Sequence, residues 1–387
     1  MDPSRAREIA LAFLKFGVTA YGGLAAIWGV IQADLQEKRG WLSKERFLEG
    51  LALINMLPGA VAVQLCIFVG HARAGWWGGL LAGLCFVLPA FLIMMALTLG
   101  YAAYGATPVI SGALYGLGPV VVAIFLAATW RLARTAAATP MQLVILIAAA
   151  VAAACSPLGT ASIFLIAAAL GVALFHSRAW GVLVLAVVLA GVALIPAPAR
   201  APAIDAAGGG LLDIGAFFFS VGALSFGGGL SMIAFIQDQV VNEYHWLTQR
   251  EFIDGLALGQ LTPGPILMVS AYVGYKLAGI AGAMVAAAAI FLPAFILMLG
   301  ILPVFERVRR LSWMKAAVKG IGPAVIGVLL VTLAQMAPSA VPDPMAGVIF
   351  FVAATAMLGW KIGALKAMLA GALLGTLRDR IGALAAR

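Results

Sequence analysis

The chain has 387 residues, of which 64% are hydrophobic and only 10% charged, with a formal net charge of +9. Soluble domains carry about 25% charged residues, so this composition excludes a soluble globule of this size. In a membrane protein a basic balance mostly reflects Lys and Arg in cytoplasmic loops, so nucleic-acid binding is not indicated. Cys66, Cys85 and Cys155 lie in apolar runs without metal-binding spacing, so we expect small buried hydrophobes and neither a metal site nor a cofactor.

Long apolar runs rich in Ala, Leu and Gly predict an all-α polytopic membrane protein, since a helix needs roughly 20 apolar residues to cross the hydrocarbon. The predicted spans of the first half are 9–33, 47–70, 75–101, 109–132, 140–155, 159–175 and 179–196. Those of the second half are 211–236, 252–275, 280–303, 317–337, 344–359 and 361–378. The expected total is therefore about 12–13 spans, with some helices broken at Gly and Pro motifs.

The two halves match in register, which indicates a tandem duplication. At an offset of 205 positions Trp41 matches Trp246, and after a one-residue deletion Pro89 matches Pro293. Chance similarity between apolar segments would not keep Trp, Gln, Gly and Pro aligned. The predicted divisions are a first transmembrane repeat at 1–196, a Pro- and Gly-rich linker at 197–210 and a second repeat at 211–387.

An odd number of spans in the first half predicts that the second half inserts upside down, as an inverted repeat. A cytoplasmic N-terminus then places Arg5 and Arg7 inside. A re-entrant hairpin in place of the second span would change the count. The same arrangement places four basic residues on the opposite side, namely Lys38, Arg39, Lys44 and Arg46.

Adjacent glycines interrupt the first predicted span of each half. They are Gly22 and Gly23 in the first half, and Gly227, Gly228 and Gly229, shortly after Ser225, in the second. Small residues let transmembrane helices pack closely, which is one interpretation. The other is an unwound point where backbone groups meet a substrate, since each glycine weakens a helix by roughly 1 kcal/mol.

A proline-containing break follows in the second predicted span of each half. Proline removes a backbone hydrogen bond, and such breaks persist in membranes where protein or a water-filled cavity surrounds them. The helix that restarts there presents N–H groups to an anion, which predicts a substrate site, whereas structural kinks are the alternative. The residues concerned are Pro58 and Gly59 with Asn55 and Gln64, and Pro263 and Gly264 with Gln260 and Thr262.

Ionisable residues inside predicted spans are candidates for a charge or proton role. Lys15 lies in the first span, where it could attract an anion or extend to the interface. Glu49 and Asp254 match across the halves at the start of the second spans, where they could cap helices or carry protons. Nucleotide-binding, H-E-x-x-H and G-x-S-x-G motifs are absent from the sequence, so the chain is not expected to be an enzyme.

The repeated motifs resemble those of the chromate ion transporter family, in its long form with two homologous halves. The residues that carry the resemblance are Gly22-Gly23, Trp41, Phe47, Leu57-Pro58-Gly59, Gln64 and Gly70, then Gly227-Gly228-Gly229, Trp246, Phe252, Pro263-Gly264-Pro265 and Gly274. The sequence departs from the family pattern at Leu24, Ile27-Trp28 and Ala60. The resemblance implies halves of opposite orientation and a secondary active exporter of chromate, coupled to an ion gradient.

Chromate is a tetrahedral dianion, which suits backbone N–H groups and neutral polar donors. Sulfate has the same shape, so the choice of chromate depends on the resemblance alone. An uncoupled oxyanion channel and a sulfate importer remain open, as does a membrane-embedded enzyme or lipid-handling protein. The expected partners are the oxyanion and membrane lipids, with a homodimer open, and the expected location is a bacterial inner membrane.

Overall fold

The computed structural model describes residues 2–21, 24–105, 107–194, 210–225, 229–304 and 311–385, and within these ranges it is helical without strands. The first half contains α1 (Pro3–Thr19), α2 (Leu24–Ile31), a π-helical turn (Gln32–Lys38), α3 (Lys44–Ile54), α4 (Val61–Tyr104), α5 (Pro108–Ala136), α6 (Pro140–Cys155), α7 (Thr160–Phe175) and α8 (Arg178–Leu194). The second contains α9 (Leu211–Ala223), α10 (Leu230–Gln237), a π-helical turn (Asp238–Glu243), α11 (Gln249–Leu261), a 3₁₀ turn (Ile266–Met268), α12 (Val269–Ile301), a second 3₁₀ turn (Leu302–Val304), α13 (Ser312–Ala340), α14 (Pro344–Leu358) and α15 (Ala364–Ala385).

Local signals set matching helix starts in the two halves. The hydroxyl of Ser43 accepts the N–H of Arg46 at the start of α3, and that of Thr248 accepts the N–H of Glu251 at the start of α11. These caps are 205 positions apart, as the duplication requires. The predicted helical duplication is therefore confirmed, whereas the predicted linker lies, apart from Gly210, outside the described residues.

Sharp turns at equivalent glycines divide α4 and α12. Gly75 has φ +64° and Gly279 has φ +61°, a region that glycine adopts without steric cost. Beyond the first turn the chain folds back, and a Cβ on Gly70 would lie 2.4 Å from the carbonyl oxygen of Gly78. We therefore describe α4a (61–73) and α4b (76–104), and likewise α12a (269–277) and α12b (280–301).

The first two predicted spans, 9–33 and 47–70, are helix pairs that turn back instead of continuous crossings. Glu8 in α1 accepts hydrogen bonds from Trp41 Nε1 at 3.1 Å and from Arg73 Nη2 at 2.8 Å. Trp41 follows the first π-helical turn and Arg73 ends α4a, so both pairs begin and end at one end of the molecule. The bond from Arg73 holds the pKa of Glu8 below its usual range.

This geometry corrects the predicted position of the basic loop at 38–46. Arg39 Nη1 lies 3.9 Å from Glu8 Oε1, so the loop lies at the N-terminal end of the molecule and not at the opposite end. The helices α1 with α2, and α3 with α4a, thus form two re-entrant pairs. At 1.5 Å per residue, α3 is only about 16 Å long, roughly half of the hydrocarbon thickness.

The second half forms the same two helix pairs with different chemistry. Lys276 Nζ lies 2.7 Å from Glu251 Oε1, which joins the end of α12a to the start of α11. The ring of Phe217 in α9 lies 5.2 Å from that of Trp246, which follows the second π-helical turn. An aromatic contact therefore closes the hairpin that, in the first half, Glu8 closes with a hydrogen bond from Trp41 and an ion pair with Arg39.

Equivalent helices from the two halves lie against each other with opposite directions. A Cβ on Gly79 of α4b would approach Leu299 of α12b to 3.2 Å, and one on Gly83 would approach Phe295 to 2.6 Å. Later residues of α4b therefore contact earlier residues of α12b, so the two helices are antiparallel. Among the described residues, four helical segments are long and apolar enough to cross a membrane: Val61–Tyr104, Pro108–Ala136, Ile266–Val304 and Ser312–Ala340.

Glycine contacts interlock the remaining helices across the halves. A Cβ on Gly116 in α5 would lie 1.9 Å from the carbonyl oxygen of Gly371 in α15. A Cβ on Gly320 in α13 would lie 2.1 Å from the carbonyl oxygen of Ala167 in α7. Small residues allow this close approach of transmembrane backbones. Each half therefore contributes helices to the packing of the other.

We expect Gly116→Val to destabilise the protein by about 1–3 kcal/mol or more, because a side chain there must displace backbone. Gly100→Val is the matched control, since a Cβ at that helical glycine has no neighbour within 4 Å. Unfolding of the purified variants in detergent, followed by tryptophan fluorescence, measures the difference. Equal unfolding midpoints for the two variants would contradict the tight α5–α15 contact.

Candidate substrate site between the two repeats

The two proline–glycine breaks meet the opposite half of the chain. The N–H of Gly59 donates to the carbonyl oxygen of Ser225 at 2.7 Å, and the N–H of Gly264 donates to that of Ala20 at 3.0 Å. Gly59 matches Gly264 and Ala20 matches Ser225 at the same offset of 205. The duplication thus forms one contact twice, and each half satisfies a backbone donor that the other half's break leaves free.

Both break glycines have backbone conformations that side chains disfavour. Gly59 has φ +121° and Gly264 has φ +97°. A Cβ on Gly264 would lie 3.0 Å from the Cβ of Ala90 in α4b, and one on Gly59 would lie 3.4 Å from Ala294 in α12b. Glycine is therefore needed at both breaks for its conformation, and at Gly264 also for the close approach of the crossing helix α4b.

The side chain of Gln64 holds the first break from within its own segment. Its Nε2 donates to the carbonyl oxygen of Pro58 at 2.6 Å, and the residue is fully buried. Its Oε1 is also buried and has no hydrogen-bond partner among the described residues. Neither Met268 nor Val269, the two residues that could match it, is polar, so this amide belongs to the first half alone.

Helix N-termini lie next to both breaks. The N-cap of α4, Ala60, supplies no side-chain bond, so the first-turn N–H groups of α4a have no capping side chain. In the second half Gly229, with φ +95°, starts α10, and a Cβ on it would lie 3.4 Å from Ile266 in the 3₁₀ turn before α12. Such N-termini carry partial positive charge, which favours anions.

The other polar residues beside the breaks differ in their hydrogen bonding. Ser225 is buried, and its hydroxyl has no partner among the described residues. Asn55 is exposed and donates to the carbonyl of Leu51 at 2.8 Å, a bond within its own helix. Thr262 is buried and donates to the carbonyl of Leu258 at 2.9 Å. Pro263 is buried, and Gln260 is half-buried in the last turn of α11.

Most of the predicted glycine motifs fall outside the described residues. These are Gly22, Gly23, Gly227 and Gly228. On either side of them α1 ends at Thr19 and α2 begins at Leu24, while α9 ends at Ala223 and α10 begins at Leu230. The helices are therefore interrupted where the glycines predicted a break, and the role of the four glycines themselves stays a prediction.

Lys15 and Glu49 do not lie at the breaks. Lys15 is exposed on α1, which fits extension to the surface better than contact with a buried anion. Glu49 is half-buried and lies 3.5 Å from Arg46, one turn earlier on α3. The pair places Glu49 on the surface of α3.

Asp254, the residue that matches Glu49, lies instead in a buried polar cluster. It is 6% exposed, and Tyr101 Oη in α4b donates to its Oδ2 at 3.1 Å. Arg250 Nε lies 3.3 Å from its Oδ1, and the ring of Tyr272 lies 5.8 Å from that of Tyr101. Among the described residues it is the one buried acidic side chain.

Local sequence patterns did not identify Tyr101 and Tyr272 as members of this cluster. Tyr101 lies 153 positions before Asp254, and a contact so distant in sequence has no local signal. Alignment of the halves offered a signal for Tyr272, because Phe68 stands in its place and each ring packs on a matching glycine, Gly50 or Gly255. Where equivalent positions of the two repeats hold a polar residue in one and an apolar residue in the other, the halves differ in chemistry.

The chain matches the family model described as Chromate transporter in two regions, residues 7–195 and 212–376. A protein of Cupriavidus metallidurans named chromate transport protein is 32% identical over 373 residues, covering 95% of this chain and 92% of that protein. A probable chromate transport protein of Synechococcus elongatus is 31% identical over 368 residues, covering 92% and 90%.

A third relative, a chromate transport protein of Pseudomonas aeruginosa, is 32% identical over 386 residues, covering 96% of this chain and 92% of that protein. No solved structure matches the chain. The resemblance carried by the repeated glycine and proline motifs is confirmed, because the family model covers both halves. With its long apolar helices, the chain is a multi-pass membrane protein, and it belongs to the chromate transporter family.

Proposed function

We propose that this chain is a secondary active transporter that exports chromate across a bacterial inner membrane. The observation that carries the proposal is the reciprocal contact of the two breaks, Gly59 with Ser225 and Gly264 with Ala20. A site between two related halves can open to either side when one half moves against the other. The opposite directions of α4b and α12b support an inverted repeat, the arrangement used for alternating access.

The breaks supply the donors that a tetrahedral dianion requires. The N–H groups at the start of α4a and α10 bear partial positive charge, and the buried hydroxyl of Ser225 adds a neutral donor. The substrate site that we propose comprises Gly22, Gly23, Asn55, Pro58, Gly59, Gln64, Ser225, Gly227, Gly228, Gly229, Gln260, Thr262, Pro263 and Gly264. Sulfate, which has the same charge and shape, competes for this site in our proposal.

Asp254 is the group that we propose couples transport to the proton gradient. It is buried at the contact between α11 and α4b, and its partner Tyr101 belongs to the other half. Movement of one half against the other would change its surroundings and with them its affinity for a proton. Since Glu49 is paired at the surface of α3, one proton site per chain is the simplest arrangement.

Chromate uptake into inside-out vesicles tests the proposal, with sulfate as competitor. We expect accumulation above the outside concentration when a proton gradient is imposed, and none when the gradient is collapsed. Chromate movement only down its own gradient would show an uncoupled channel. Accumulation of sulfate but not chromate would overturn the proposed substrate, and accumulation only in right-side-out vesicles would overturn the direction.

A further inference from the structure

A groove of about 520 Å³ lies between α14 and α15, beside α5, and none of its lining residues belongs to the breaks. This volume is within the range of small-molecule sites, which is roughly 300–1,000 Å³. Its inner wall is apolar and its outer end is basic and aromatic. The inner wall includes Val120, Ile349, Val352 and Leu374, and the outer end includes Trp360, Lys361 and Lys366.

Hydrogen bonds fix the loop that forms the outer end of the groove. The N–H groups of Trp360 and Ile362 both donate to the carbonyl oxygen of Ala356 at 3.2 Å. Lys361 between them has φ +55°, a left-handed conformation that is uncommon for residues other than glycine. The end of α14 thus holds this loop in one shape, and Lys361 has a defined position at the mouth of the groove.

Positive charge gathers at this mouth, and the segment that forms it has no acidic residue. Lys361 and Lys366 are exposed, and the sequence from 344 to 377 contains no Asp or Glu. Lys366 lies in the first turn of α15, where the helix dipole adds positive potential. Arg131 is adjacent, with Nη2 donating to the carbonyl oxygen of Met357 at 3.1 Å. The site therefore attracts an anion.

Two features indicate that the groove lies where a membrane surface meets the hydrocarbon. Trp360 is 74% exposed at the end of an apolar helix, a position typical of the aromatic belt. Arg131 and Arg134 end α5 on the same side, which the positive-inside rule places in the cytoplasm. A ligand that fits has an anionic head group at the lysines and an apolar tail along α14 and α15.

We propose that this groove binds an anionic phospholipid, with its phosphate at Lys361 and Lys366 and an acyl chain along Val352 and Leu374. Basic pockets between transmembrane helices on the cytoplasmic side bind such head groups. The combination of charge and apolar lining selects a lipid over a free anion. The proposal does not depend on which oxyanion the protein transports.

Native mass spectrometry of the purified full-length protein tests this proposal with phosphatidylglycerol and phosphatidylcholine of identical acyl chains. We expect phosphatidylglycerol to bind roughly tenfold more tightly than phosphatidylcholine, because basic side chains attract the net negative charge of its head group. In Lys361→Asn/Lys366→Gln its affinity should fall to that of phosphatidylcholine. Asn is chosen at position 361 because it tolerates the left-handed backbone.

Two further variants distinguish binding in this groove from nonspecific association of lipid with the protein surface. Ala370→Trp, at an exposed position on the groove wall, should weaken binding of both lipids by filling the groove. Lys38→Gln/Lys44→Gln removes two exposed cations from another loop and should leave binding unchanged. The proposal is overturned if both lipids bind the unmodified protein equally. It is also overturned if the Lys361/Lys366 and Lys38/Lys44 double variants lose phosphatidylglycerol binding to the same extent.

Competition and oligomeric state distinguish the remaining occupants. Glycerol phosphate at millimolar concentration should not displace phosphatidylglycerol. If it does displace the lipid, the groove is a site for small anions and the proposal is wrong. If Ala370→Trp changes the oligomeric state and leaves lipid binding intact, the groove is a contact with a second copy of the chain and the proposal is wrong. Each variant's unfolding midpoint without lipid, compared with that of the unmodified protein, shows whether it is folded.

Discussion

Gly264→Leu is expected to reduce gradient-driven chromate accumulation by more than about tenfold while the protein remains in the membrane. A side chain at φ +97° costs about 1–2 kcal/mol. Its Cβ, only 3.0 Å from that of Ala90, adds about 1–3 kcal/mol of overpacking. The smaller sum of these two costs, about 2 kcal/mol, exceeds the roughly 1.4 kcal/mol that changes an equilibrium constant tenfold. We therefore expect the break to leave its bonded position against Ala20.

The matched control for this substitution is Gly300→Leu. Gly300 lies near the end of α12b with an exposed surface, and a Cβ on it has no neighbour within 4 Å. The same leucine should therefore be tolerated there, with near-normal uptake into vesicles that contain equal amounts of protein. If Gly264→Leu also accumulates chromate normally, the breaks are packing features and the proposed site is wrong.

Asp254→Asn is expected to lower chromate accumulation to the level of vesicles whose proton gradient has been collapsed. The amide keeps the size of the carboxyl group and can still accept the hydrogen bond from Tyr101, but it cannot take up a proton. Exchange of labelled chromate across the membrane without a gradient should continue, because the break backbone is unchanged. Loss of coupling with retained exchange is the outcome that identifies a proton carrier.

Glu49→Gln in the first half is the matched control for Asp254→Asn. It makes the same neutralisation at the equivalent position, where the carboxylate is half-buried beside Arg46. We expect coupled accumulation to persist in this variant. Equal loss of accumulation in both would point to a shared structural role for the two carboxylates, and loss of exchange in Asp254→Asn would place Asp254 in substrate binding.

The differences between the halves bear on mechanism as much as their similarity does. Buried Gln64 has no polar match in the second half. In the first half, apolar Phe68 stands at the position of Tyr272, and half-buried Glu49 stands at the position of buried Asp254. The backbone site is therefore duplicated, whereas the polar side chains beside it are not. We expect such asymmetry in a transporter whose symmetrical backbone binds the anion while one half carries the coupled ion.

The sequence by itself determined the membrane character, the duplication and the positions of the breaks. Each of these depends on local or periodic information: long apolar runs, a fixed offset between Trp41 and Trp246, and proline followed by glycine at both breaks. Proline and paired glycines weaken a helix wherever they stand, so the interruptions at 55–60 and 262–265 could be predicted without tertiary contacts.

Only the tertiary structure decided where the chain goes after each break. An apolar helix pair can continue across the membrane or turn back, and composition is the same in both cases. The contacts of Glu8 with Trp41 and Arg73 bring the two ends of each pair together, and these partners are 33 and 65 positions apart in the sequence. The contact of Gly59 with Ser225 and that of Asp254 with Tyr101 likewise join distant segments, which is why local patterns predicted the break residues and not their partners.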